Sequence, residues 1–260
     1  MQVPPGRASN KQTYHECSRM DTPRTQLVLL PGLEGSGYLF DGLLTELGSS
    51  FEAQVLRYPS TAGTYDELLP LVEPIVTQSR PCFVLAESFS TPLAVRLCAA
   101  APAGIQGLIL CNGFVSNPLA AFESLMATAI APWVLHVPLT DFTARTWLVG
   151  PDASAGLVSA VQQAIGPVPA SVLWARLNAV FHCDAREALA RLDIPLLYIH
   201  ATRDRLIGSA GLREIQRIRP DIPVEHVDGP HLLLQSQPKR CAEIISRCVE
   251  RIQRMTAPIA

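Results

Sequence analysis

Short apolar runs alternate with helix-patterned stretches along this chain, and that alternation constrains its fold more than any other feature. The runs are "TQLVLLPG" at 25–32, "AQVLRYP" at 53–59, "PCFVLAE" at 81–87, "IQGLILC" at 105–111, "IPLLYIHA" at 194–201 and "IPVEHVD" at 222–228. They are rich in Leu, Ile and Val with few polar interruptions, as strands covered on both faces of a parallel sheet require. Helical patterns at about 38–49, 65–79, 90–101, 209–219 and 232–254 lie between or after them. Each is long enough to cross from one parallel strand to the next. The expectation is an α/β architecture, a mostly parallel sheet of about six strands with helices on both faces. With 260 residues, 48% of them hydrophobic, the chain can bury one large core.

One connection is too long for this rhythm. Between Cys111 and Ile194 there is far more chain than one crossover helix uses, and a structureless loop of that length is improbable in a compact domain. The spacing points to an inserted helical cap over 113–192, with the sheet built from 25–112 and 193–256 and an extended or mobile lead-in at 1–24. Apolar residues recur at helical spacing in the insertion, first at Phe122, Leu125, Met126, Ala129, Ile130 and Trp133, then at Leu173, Trp174, Leu177, Val180 and Phe181. Phe122, Leu125, Met126, Ile130, Trp133, Phe142 and Trp147 are candidate walls for an apolar acyl pocket.

Ligands of open α/β sheets bind beyond the carboxyl ends of the strands, so the residues that end each run matter most. The third run ends at Glu87-Ser88 and becomes a helix, a strand-to-helix elbow that exposes a nucleophile. Such an elbow needs small residues two before and two after the nucleophile. Ser88 has Ala86 and Ser90 there, whereas Ser90 would have the bulky Pro92, so Ser88 is the candidate nucleophile. The fifth run leads into Asp204 and the sixth into His231, giving the chain order nucleophile, acid, histidine. Asp228 competes with Asp204, but it sits in "DGPH", where Asp-Gly favours a tight turn. Asp204 would hold the imidazole of His231 in the tautomer that accepts the serine proton. At "LVLLPGLEGSG" a glycine-containing loop ends the first run, so the backbone N–H groups of Leu33 and Phe89 are candidates for an oxyanion hole.

Other chemistries have little support. The formal net charge is −2 and the basic residues are scattered, which disfavours nucleic acid as a partner. No apolar run is long enough to span a bilayer, because "AIAPWVLHVPL" is broken by Pro132 and Pro138. The first 25 residues lack the apolar core of a secretory signal. The seven cysteines contain no CxxC pair and mostly sit in apolar patterns, which favours a reducing cytoplasm. Neither zinc-ligand spacing nor a P-loop is present, so no metal or organic cofactor is expected. The cap arginines Arg145, Arg176, Arg186 and Arg191 are candidates for attracting an acidic carrier protein.

From about residue 26 to 250 the sequence resembles the α/β-hydrolase superfamily on the elements "LLPGLEGSG", "AESFS", "YIHATRDRL" and "DGPHLLLQSQP". Within it, the short chain and helical cap are similar to small bacterial carboxylesterases, including the type that acts on pimeloyl carrier-protein methyl esters. The resemblance implies a serine hydrolase with Ser88, Asp204 and His231 as triad and a small-molecule or carrier-bound acyl ester as substrate. The family's His-Gly is Pro31-Gly32 here, and little chain precedes residue 25, which implies a reduced sheet. A thioesterase or acyltransferase would share this machinery, and a ligand-binding module without turnover would share the scaffold.

Overall fold

The computed structural model describes residues 24–77, 81–100, 104–118 and 139–256. Six strands, β1 (Thr25–Leu30), β2 (Phe51–Val55), β3 (Cys82–Glu87), β4 (Ile105–Cys111), β5 (Leu196–Ala201) and β6 (Val224–Val227), form one sheet in the order β2-β1-β3-β4-β5-β6. Every pairing is parallel. The order reverses between β1 and β3, which opens a crevice at their carboxyl ends. Leu30 of β1 pairs with Ala86 of β3, so the loop after Leu30 and the elbow after Glu87 emerge side by side.

The two-residue period of the strands divides the core. Val28, Leu30, Val84, Ala86, Leu108, Leu110 and Tyr198 meet the helices α2 (Tyr65–Val76) and α3 (Ser90–Ala100) on one face. Leu27, Leu29, Phe83, Leu85, Ile109, Leu197 and Ile199 meet α1 (Asp41–Leu47) and the long helix at Pro238–Thr256 on the other. Burial on both faces explains why the strands read as unbroken apolar runs.

The second strand departs from the expected 53–59. It covers Phe51–Val55, and the chain then turns toward the β1 loop, where the Tyr58 N–H donates to the Gly35 carbonyl at 2.8 Å. The last expected helix, 232–254, is two helices, Leu233–Ser236 and Pro238–Thr256, because Pro238 lacks an N–H and starts the second.

The connection from β4 to β5 carries helices at Ala155–Ile165, Ala170–Phe181 and Arg186–Ala190, preceded by a π-helical stretch at Ala144–Val149. Residues Ala144, Val149, Val158, Val161 and Ala164 pack with Leu39 and Leu232, which seats this segment over the loops after β1 and β6. Residues 119–138 lie outside the described residues, and with them Phe122, Leu125, Met126, Ile130 and Trp133. Of the apolar face expected for the helix Ala170–Phe181, Leu173 and Val180 are buried and Trp174, Leu177 and Phe181 are half-buried, while Val172 and Arg176 complete the buried face.

Candidate active site

Ser88 follows β3 directly with φ of +48°, in the left-handed region that non-glycine residues seldom adopt. Its own N–H donates to the Cys111 carbonyl at 2.9 Å and its carbonyl accepts from the Thr91 N–H at 3.0 Å, so both sides of the turn are anchored. Ser90 does more than stay small. Its hydroxyl donates to the Pro31 carbonyl and bonds the Tyr58 hydroxyl, tying the elbow to the loop after β1. Phe89 is buried, stacked on Tyr65 and edge-on to Tyr58, and its carbonyl accepts from the Tyr65 hydroxyl at 2.9 Å.

The loops after β3, β5 and β6 bring three side chains together. Ser88 Oγ lies 2.9 Å from His231 Nε2, and His231 Nδ1 lies 2.8 Å from Asp204 Oδ2. The other carboxylate oxygen of Asp204 accepts from the N–H groups of Leu206, at 2.8 Å, and Ile207, at 3.0 Å. Burial pushes the Asp204 carboxyl up, yet the adjacent imidazole and these hydrogen bonds outweigh it and hold the group below the usual carboxylate value. An ionised Asp204 only accepts, so Nδ1 carries the proton and Nε2 is free to accept from Ser88 Oγ–H. Asp228, the rival acid, is instead a solvent-side partner of Thr202, at 3.2 Å, and Arg203, at 2.8 Å.

Asn112 is a site residue that the sequence reading missed. It follows β4 with φ of +45°, is fully buried, and links the end of β5 to the loop after β6. Its Nδ2 donates to the His231 carbonyl at 2.6 Å, and its Oδ1 accepts from the Ala201 N–H at 2.7 Å. The available signal was an Asn-Gly pair at a strand's carboxyl end, a position where αL backbone is tolerated.

Two buried carboxyls lie near Ser88. Glu87 is held by Gln235, whose Nε2 donates to Oε2 at 3.1 Å; burial, then the nearby Glu34, raises its pKa to about 8 against that hydrogen bond. Glu34 lies in the loop after β1. Burial pushes it up, opposed by backbone N–H groups of its own loop, at residues 34, 37 and 35, and by the charge of Arg176.

Ser88 and His231 open onto a cavity of about 440 Å³ whose described lining is mostly apolar, including Leu39, Leu148, Ile165, Leu173, Leu206 and Leu232. Leu33 lines it too. Phe142 and Trp147 do not, being 75% and 48% exposed. A larger depression, about 640 Å³, lies beside the amino ends of β5 and β6 and includes none of Ser88, Asp204 and His231. Among the described residues no group of His, Cys, Asp and Glu could hold a metal ion, and no single helix is long and apolar enough to cross a membrane.

Residues 52–222 match the model of the family described as serine aminopeptidase, S33. The chain belongs to that family. No curated protein matches it at a significant level. Among solved structures, this α/β-hydrolase is similar to a carboxylesterase of Nitrososphaera gargenis, with 13% identity, coverage of 90% of this chain and 93% of that one, and a TM-score of 0.72. It is also similar to the enol-lactonase of Burkholderia xenovorans LB400, at 15% identity, 88% and 92% coverage and a TM-score of 0.72. The bromoperoxidase of Bacillus anthracis gives 16%, 87% and 92%, and 0.71. At such identities the likeness is one of fold, and the α/β-hydrolase architecture expected from the sequence is the one observed.

Proposed function

We propose that this hydrolase cleaves carboxylic esters through an acyl-enzyme intermediate on Ser88. The observation that carries the reading is the unbroken hydrogen-bonded series Ser88, His231, Asp204, whose first two members line an apolar cavity. Ser88 Oγ attacks the acyl carbon as its proton passes to Nε2, and the carbonyl oxygen becomes an oxyanion received by the N–H groups of Leu33 and Phe89. The intermediate collapses, and the leaving alcohol takes the proton from Nε2. Water then gives a proton to Nε2 and attacks the acyl carbon, and Ser88 regains its proton as the carboxylic acid departs. A serine at the elbow separates this chemistry from that of fold relatives with an aspartate nucleophile.

The apolar lining supports a medium aliphatic acyl group. An aminopeptidase substrate would bring a free α-ammonium. Glu34 is the one acidic side chain among the described lining residues, and burial raises its pKa despite the neighbouring Arg176 charge, which makes it a poor counter-ion for an ammonium and favours an ester over an aminoacyl amide. The six cysteines among the described residues are unpaired, which supports a reducing compartment such as the cytoplasm.

The test is hydrolysis of p-nitrophenyl esters of graded acyl length, with aminoacyl p-nitroanilides beside them, by the wild type and Ser88→Ala. The expected result is an optimum at medium chain length and a loss of about 10⁶-fold in kcat in the variant. Hydrolysis that survives Ser88→Ala, or a preference for acetyl or aryl esters, overturns the corresponding part of the reading.

A further inference from the structure

The cap arginines do not form a common surface. Arg145 donates to the Pro151 and Ala153 carbonyls, Arg186 pairs with Asp184, and Arg191 pairs with Glu187. Arg176 is only 1% exposed. Its Nη1 donates to the carbonyls of Leu33, at 2.8 Å, and Glu34, at 2.9 Å; its Nη2 donates to Pro59, at 3.2 Å, and its Nε to Ala62, at 3.2 Å. Burying a guanidinium is costly, and an apolar side chain of similar size would fill the space without that cost. What the guanidinium adds is several N–H donors in one rigid plane, enough to bind carbonyls of two loops at once.

From these contacts we infer that Arg176 is a positioning residue for the oxyanion hole, fixing the loop that presents the Leu33 N–H. The inference rests on the ester-hydrolase reading above. The Leu33 N–H lies in the peptide plane shared with Gly32, whose carbonyl accepts from the Gly35 N–H, and Arg176 holds the next two planes through the carbonyls of Leu33 and Glu34, which limits how far that N–H can swing. The fit is close. A Cβ on Gly35, where φ is +69°, would lie 2.6 Å from Arg176 Nη1, and one on Gly63 would lie 2.4 Å from the Ala175 Cβ. The helix Ala170–Phe181 therefore seats directly on the loop after β2, while its arginine grips the loop after β1. The Gly35 N–H to Gly32 carbonyl bond, 3.1 Å, and the Tyr58 N–H to Gly35 carbonyl bond, 2.8 Å, complete the frame. A helix inserted between β4 and β5 thus supplies the cation that holds a loop from the opposite side of the crevice, and oxyanion stabilisation depends on that helix being docked.

The test compares p-nitrophenyl octanoate with its thiono analogue, in which sulfur replaces the carbonyl oxygen, in the wild type, Arg176→Lys and Arg176→Met. An oxyanion hole favours the oxygen ester because oxygen is the stronger acceptor, and the ratio of the two rates on one enzyme sample cancels any loss of folded protein. A displacement of the donor of about 1 Å costs about 10²-fold. We expect kcat on the oxygen ester to fall by about that factor in Arg176→Met and by less in Arg176→Lys. KM should change little, and the oxygen-to-sulfur ratio should fall with kcat. Variants that slow both esters equally, with the ratio kept, or that keep wild-type kcat, overturn the positioning role alone. A wild type that hydrolyses neither ester overturns the hydrolase reading and the inference with it.

Discussion

Replacing Glu87 with Gln should make the protein's stability far less sensitive to pH. Glu87 is 1% exposed, and its carboxyl titrates at about 8 rather than at the ordinary 4.5. Because the folded pKa lies above the unfolded one, the folded protein keeps a proton that the unfolded chain releases. The stability this proton confers is fully present below about 4.5, declines as pH rises, and is lost as pH passes through about 8. At 1.36 kcal/mol per unit, the wild type gives up about 3 kcal/mol between pH 5 and 8 on account of this group, against a total stability of about 5–15 kcal/mol. Glutamine has the same shape and no proton to lose. Its carbonyl can accept from Gln235 Nε2 as Glu87 Oε2 does, and its amide can donate to Gln235 Oε1, which, like Glu87 Oε1, has no hydrogen-bond partner among the described residues. Urea unfolding followed by tryptophan fluorescence at pH 5, 6, 7 and 8 measures the effect. The variant's advantage over the wild type should grow by about 3 kcal/mol across that range. Curves that stay parallel within about 0.5 kcal/mol would refute the reasoning, because they would mean that Glu87 ionises in the folded protein as it does in the unfolded chain.

Two further outcomes follow from the site. Asp204→Asn keeps an acceptor for the Leu206 and Ile207 N–H groups but can present an amide N–H to His231 Nδ1, reversing the imidazole; kcat on a p-nitrophenyl ester should fall about 10⁴-fold with little change in Tm. Leu173→Trp places a larger side chain on the cavity wall, so the acyl-length optimum should move to shorter esters, with kcat/KM falling roughly tenfold or more for each methylene that no longer fits.

The helix Ala170–Phe181 is the clearest case of what periodicity misses. Its apolar spacing is legible only in part: Leu173 and Val180 are buried, Trp174, Leu177 and Phe181 are half-buried, and Arg176, which reads in sequence as a surface cation, sits on the buried face. Its burial depends on four carbonyls from residues 33–62, which only the folded chain brings within reach. The acyl-pocket reading failed differently for Phe142 and Trp147. Large apolar residues need not be buried, and which of them meet the cavity depends on how the insertion is seated.

By itself the sequence determined the parallel sheet, the elbow at Ser88 and the order of Ser88, Asp204 and His231, because strand burial on both faces, steric limits at a tight turn and strand-end positions are local properties written in residue type and spacing. Only the tertiary structure decided that Asn112 bridges Ala201 to His231, that Ser90 ties the elbow to Pro31, and that Arg176 grips the loop after β1. Each of these is a buried polar group whose partner lies tens of residues away or more. A buried donor must find its acceptor wherever packing delivers one, and no local pattern in the chain encodes where that will be.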